Sequence, residues 1–94
     1  MAIKSFRDAR LVDILARRLP KGFPADLAAV TRRKLVMLDA AARLDDLRIP
    51  PANRLESLKG DRAGQHSIRV NDQFRLCFRW TDEGPAEVEF VDYH

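Results

Sequence analysis

Cysteine occurs once in these 94 residues, at Cys77. A single thiol forms no disulfide within the chain and cannot supply a cluster of cysteine ligands. Histidine occurs only at His66 and His94, so the paired histidines of a helix-borne zinc site are missing. A glycine-rich phosphate loop ending in Lys-Ser/Thr and a nucleophile elbow are missing too. Nucleoside-triphosphate chemistry, a metal and an organic cofactor are therefore not expected. No apolar run approaches the roughly 20 residues of a membrane-spanning helix. Met1 to Arg7 lack the apolar stretch of a secretory signal, so the expectation is a soluble, cytoplasmic protein with no membrane partner.

What is present is a globular composition. Hydrophobic residues make up 46% of the chain and charges of both signs are spread along it, which suits one compact domain over residues 1 to 94 held by hydrophobic burial. The net charge of +3 conceals an asymmetry. Residues 1 to 80 hold all 17 Lys and Arg against nine acids, and residues 81 to 94 hold five acids and no base. A basic body favours a polyanionic partner through phosphate neutralisation and counterion release, though charge alone does not name the partner.

Hydrophobic period divides the chain. Ile3 to Arg7 alternates weakly, as a first strand would, and a helical stretch from Asp8 places Leu11, Ile14, Leu15 and Arg18 on one face. Pro20 to Pro24 breaks the chain. From Ala25 to Ala41 the residues Leu27, Val30, Thr31, Lys34, Leu35 and Leu38 recur at helical spacing, with Arg32, Arg33 and Lys34 around the other side. Leu44 to Arg48 adds a short helical turn that Pro50-Pro51 stops.

After the prolines the period becomes alternating. Strands are expected over Arg54 to Leu58, His66 to Asn71, Phe74 to Trp80 and Glu87 to Val91, joined by turns. The fold class is then α+β, two N-terminal helices on one face of a small, mainly antiparallel sheet. Phe74, Leu76, Phe78 and Trp80 share the covered face, and Arg75, Cys77 and Arg79 the other. Arg69 and Arg75 would project together onto the open face near Lys59 and Arg62, forming a rigid basic surface for phosphates.

Three segments carry a more specific likeness: Asn53-Arg54-Leu55-Glu56-Ser57-Leu58-Lys59-Gly60-Asp61-Arg62, Ser67 to Phe78, and the terminal Val91-Asp92-Tyr93-His94. With the opening Ile3-Lys4-Ser5-Phe6 and the helix around Arg33-Lys34-Leu35, they resemble the HigB-type killer proteins of the RelE/ParE toxin superfamily, from type II toxin–antitoxin systems. The resemblance spans nearly the whole chain. It implies a RelE-like fold and a metal-independent, ribosome-dependent endoribonuclease that enters the 30S decoding site and cuts mRNA. It also implies a HigA-like helix-turn-helix antitoxin as partner, with operator DNA reached only through that antitoxin.

Metal-free cleavage needs the 2′-hydroxyl deprotonated, the phosphorane charge stabilised and the 5′-oxygen protonated. By the family's pattern Lys59 and Arg75 would hold the phosphate, and Asp92, Tyr93 and His94 would position groups and move protons. Arg54, Arg62, Arg69, Arg32 and Arg33 are the further candidates for RNA contact. One departure stands out: where some members carry a catalytic histidine just before Ser57-Leu58-Lys59, this chain has Glu56. Beside Lys59 and Arg54 its carboxylate would form a surface pair, which implies a moderate nuclease.

Other residues carry structural readings. His66 and Trp80 read as packing, and Cys77 as a small filler although it faces the open side between arginines. Arg32, Arg33 and Lys34 could equally be a solvated helix face. Two other functions share the fold: a ParE-type toxin that blocks DNA gyrase, and a basic module that only binds ribosomal RNA. Neither would need the Asp92-Tyr93-His94 ending.

Overall fold

A computed structural model describes residues 3–92. Helix α1 spans Arg10–Leu15 and helix α2 spans Ala28–Ala40, and four strands follow: β1 Glu56–Ser57, β2 Gln65–Arg69, β3 Phe74–Thr81 and β4 Gly84–Asp92. The strands form one antiparallel sheet in the order β1-β2-β3-β4, so each pairs with its chain neighbour through a local turn. The α+β expectation is met.

Helix α1 starts where Asp8 Oδ1 accepts the Arg10 N–H at 3.1 Å. It ends because Arg17 takes a left-handed conformation (φ 64°), which lets its N–H reach the Ile14 carbonyl at 3.0 Å. Short 3-10 turns at Ala25–Leu27, Leu44–Arg48, Pro51–Asn53 and Gly60–Arg62 shape the connections. Pro24 precedes α2, and Pro51 opens the turn that follows the Leu44–Arg48 segment, as proline's missing N–H and fixed φ allow.

Leu11 and Ile14 of α1 and Leu35 and Leu38 of α2 meet Ile68, Leu76, Phe78, Val88 and Phe90 of the sheet in one core. Burying each such side chain contributes about 1.5–3 kcal/mol, so this layer supplies the dominant stabilisation. Phe90 joins Phe74 and Phe23, with ring centroids 4.6 Å apart in both pairs, and the Arg10 guanidinium lies 5.4 Å from the Phe23 ring centre.

Several boundaries differ from the alternating pattern. Ile3 to Arg7 does not form a ladder strand; Phe6 makes one isolated parallel bridge to Val88. A bulge interrupts the β3–β4 ladder between Cys77 and Arg79, where Glu87 of β4 has a positive φ of 54° and its N–H donates to the Ser5 hydroxyl at 2.9 Å. The strand expected over Arg54 to Leu58 shrinks to two residues because Arg54 is left-handed (φ 46°) and cannot extend it. Lys34, assigned by spacing partly to the solvated side of its helix, is buried at 7% exposure.

Candidate functional site

The sheet face away from the helices is crossed by two polar rows. Glu56, Ser67, Cys77 and Glu89 pair in register across all four strands, and Arg69, Arg75 and Val91 form the next row. Arg69 and Arg75 are therefore direct cross-strand neighbours, as alternation required. Their side chains are not an open pair of cations.

Arg75 is buried, only 8% exposed, and its guanidinium is fixed on three sides. Nε donates to Ser67 Oγ at 2.8 Å, Nη2 donates to the Arg54 carbonyl at 2.5 Å, and Nη1 lies 3.5 Å from Glu56 Oε1. The left-handed turn at Arg54 is what aims that carbonyl at the strand. Glu56 does not make the surface pair with Lys59 and Arg54 expected of it; it pairs with Arg75, and its own side chain is half exposed.

Arg62 does not stand beside the phosphate face as a ready cation. It reaches over Cys77 to Glu89 on β4 at 2.6 Å and also donates to Gln65 at 3.1 Å. Arg69 pairs with Asp72 in the adjoining turn. The same cover buries Cys77 completely and raises its thiol pKa, burial outweighing the nearby Arg62 and Arg75 charges, so Cys77 is a filler and not a surface residue. Lys59 is different: it is exposed, it precedes the Gly60–Arg62 turn, and its side chain makes no hydrogen bond or ion pair among the described residues.

Asp92 ends β4 opposite Phe74, one register step beyond the Arg75–Val91 pair, and accepts a hydrogen bond from Gln73 Nε2 at 3.0 Å. The chain is thus delivered to the Arg75 end of the sheet at Asp92. Tyr93 and His94 lie outside the described residues. Arg54 is exposed beside its turn, and Arg32 and Arg33 sit on α2, where Arg32 Nε donates to the Leu15 carbonyl at 3.3 Å.

Two supporting contacts were not evident from the sequence. Lys34 Nζ donates to Asn53 Oδ1 at 2.5 Å, and Asn53 Nδ2 donates to the Leu47 carbonyl at 3.1 Å, both inside the protein. This ties α2 to the segment that presents the Arg54 carbonyl. Burial pulls the Lys34 pKa down, with the nearby charges of Arg33 and Arg69 acting in the same sense. Ser67 is the second: it lies on the same face as Arg69 by alternation, a signal that could have marked it as the anchor for a neighbouring arginine.

His66 packs as expected, its ring 6.1 Å from that of Phe78 and its Nδ1 3.2 Å from Ser57 Oγ; burial lowers its pKa from 6.5. No group of three or more His, Cys, Asp or Glu among the described residues is placed to hold a metal ion. No helix among them is long and apolar enough to cross a membrane.

The sequence model of the family described as the RelE-like toxin of type II toxin-antitoxin system HigB matches residues 4–94. The chain belongs to the HigB-like toxins. Toxin HigB-1 of Vibrio cholerae serotype O1 is 49% identical over 71 residues, covering 76% of this chain and 74% of that protein. An uncharacterized protein of Haemophilus influenzae is 46% identical over 71 residues, 76% of this chain and 69% of its own. Endoribonuclease HigB of Proteus vulgaris is 29% identical over 92 residues, 98% of this chain and 99% of that enzyme.

Proposed function

We propose that this HigB-like toxin is a ribosome-dependent endoribonuclease that cuts mRNA in the 30S decoding site and is neutralised by a HigA-like helix-turn-helix antitoxin. One observation carries the chemistry: the Arg75 guanidinium is locked in orientation on the face opposite the helices, by a serine, a carbonyl and a carboxylate. A cation held in place before substrate arrives stabilises developing charge without reorganising at the moment of reaction. The end-to-end likeness to Endoribonuclease HigB and the family match support the nuclease over a gyrase blocker or a bare RNA-binding module.

In this reading Arg75 and Lys59 clamp the scissile phosphate and its phosphorane. Glu56, the more exposed partner of Arg75, must give way to the phosphodiester, because both anions compete for the same guanidinium. Asp92, Tyr93 and His94 complete the site, accepting the 2′-hydroxyl proton and returning one to the 5′-oxygen. His94 is assigned the acid role, since an imidazole is the side chain best suited to giving up a proton near neutral pH.

Arg54 extends the basic face for the message, and Arg62 and Arg69 join it only on leaving Glu89 and Asp72, whereas Arg32 and Arg33 stand apart from that face on α2. No metal or cofactor takes part. Residues 1 to 94 act as one toxin domain in the cytoplasm, and operator DNA is met only through the antitoxin. Primer extension on message from translation reactions tests the proposal, comparing the wild type with Arg75→Ala and a chain lacking His94. Translation-dependent breaks that vanish in both variants are expected. Intact message with the wild-type protein, together with inhibited supercoiling, would move the function to gyrase.

A further inference from the structure

The helical layer carries a groove that the catalytic reading does not use. It is a cavity of about 470 Å³ between the end of α1, the following turn and the outer side of α2, floored by Ile14, Leu19, Ala28 and Val36. Leu19 and Val36 are 56% and 42% exposed, unusual values for large aliphatic side chains in so small a core, and they fall together here. Four arginines, Arg17, Arg18, Arg32 and Arg33, rim the same groove, and none of Lys59, Arg75 or Asp92 lines it.

The rim charges are not equally engaged. Arg18 pairs with Asp13 at 3.0 Å and Arg32 donates to the Leu15 carbonyl, whereas the side chains of Arg17 and Arg33 make no hydrogen bond or ion pair among the described residues. Arg17 is held at the rim by the left-handed turn that ends α1.

We propose that this groove docks an acidic, amphipathic segment of the antitoxin, an inference that rests on the toxin–antitoxin reading above. The chemistry selects such a segment in three steps. A nucleic acid would satisfy the arginines but leave the aliphatic floor wet, and no aromatic ring lines the groove for a base to stack on. A second copy of this chain meeting groove to groove would set arginines against arginines. Three of the acids in its carboxyl-terminal part are engaged as well: Glu83, Glu87 and Glu89 are paired with Lys4, Arg7, Arg79 and Arg62 of their own chain. A partner helix with aliphatic residues at i, i+3 or i+4 and flanking Asp or Glu fills the floor and meets the rim at once. Cavities of roughly 300–1,000 Å³ hold a few anchoring groups, which fits one such turn.

The antitoxin then acts from the helical layer and need not plug the Arg75 face. Calorimetric titration with purified HigA-like antitoxin tests this, using Arg17→Glu and Val36→Glu at two exposed positions, each checked for a wild-type melting temperature. Each variant is expected to bind antitoxin at least tenfold more weakly and to escape neutralisation, while cleaving ribosome-bound message at the wild-type rate. Undiminished binding in both variants would overturn the inference. So would wild-type protein that binds no antitoxin, lost cleavage with antitoxin binding kept, which would assign the groove to ribosomal RNA, or a wild-type dimer made monomeric by Val36→Glu without loss of antitoxin. A wild type that binds antitoxin through the groove yet cuts no message would sink the nuclease reading alone.

Discussion

Arg75 Nε donates to Ser67 Oγ at 2.8 Å, between residues of adjacent strands that sit diagonally on the same face. The bond turns a flexible side chain into a fixed one, and the Arg54 carbonyl completes the fork at 2.5 Å. Lysine, with one donor centre on a longer swing, cannot reproduce this geometry. Arg75→Ala leaves the buried Ser67 hydroxyl without its donor, at about 1–3 kcal/mol, and also frees the part-buried Arg54 carbonyl. The variant is expected to melt at a markedly lower temperature as well as to lose cleavage. Arg75→Lys should recover part of the stability and little of the rate; full recovery of rate would show that fixed geometry does not matter.

Glu56 supplies a second expectation. Its carboxylate, 3.5 Å from Arg75 Nη1, must be displaced by substrate, and that displacement costs binding energy. Glu56→Gln removes the competing charge, and Glu56→His also introduces a proton-transfer group. Both should cut ribosome-bound message several-fold faster than the wild type in initial-rate assays. A slower or unchanged rate in both would remove Glu56 from the mechanism.

A third expectation concerns stability alone. Thr31 is wholly buried in α2, and its hydroxyl has no hydrogen-bond partner among the described residues. Valine has nearly the same shape and leaves nothing unsatisfied. Thr31→Val should therefore stabilise by about 1 kcal/mol, the low end of the cost of an unpaired buried group. For a chain of this size that raises the melting midpoint by roughly 4–8 °C. A lower midpoint would mean the hydroxyl is satisfied in solution.

Acid sensitivity has an assignable part. Burial beside Phe78 lowers the His66 pKa below its ordinary value of 6.5. Below pH 6.5 the unfolded chain takes up a proton that the folded chain resists, so stability falls as pH drops from 6.5 towards the folded-state pKa, and this contribution vanishes above 6.5. Chemical denaturation of wild type and His66→Phe between pH 7.5 and 5 should show the variant losing less stability on acidification. Parallel pH profiles would contradict it.

Periodicity reached the architecture because the apolar residues obey it: Leu35 and Leu38 on α2, and Leu76 and Phe78 on β3, fall where spacing puts them. It also placed Arg69 beside Arg75. What it missed depends on local backbone conformations and long-range partners. Nothing in the alternation shows that Arg54 turns left-handed and ends a strand early, or that Glu87 forms a bulge. Burial of Cys77 on a nominally open face follows from Arg62 reaching Glu89 across the sheet, a contact 27 residues apart in sequence, and Arg75 is enclosed by Ser67, the Arg54 carbonyl and Glu56. Lys34 is buried because a single asparagine, 19 residues further on, receives its ammonium. The roles of Lys59 and Arg75 came from family likeness, since two cations on one sheet face are also compatible with simple solvation.

Lys59 offers the cleanest test of the phosphate clamp, because it is exposed and its side chain makes no hydrogen bond or ion pair among the described residues. Its removal should leave folding untouched. The decisive measurement is the single-turnover rate of message cleavage on programmed ribosomes with saturating Lys59→Ala protein, beside the melting temperature of the same preparation. Loss of one charge-stabilising donor typically slows such a step by about 10²–10³-fold, so a drop of that order at an unchanged melting temperature is predicted. Wild-type cleavage by the folded variant would contradict a clamp built from Lys59 and Arg75.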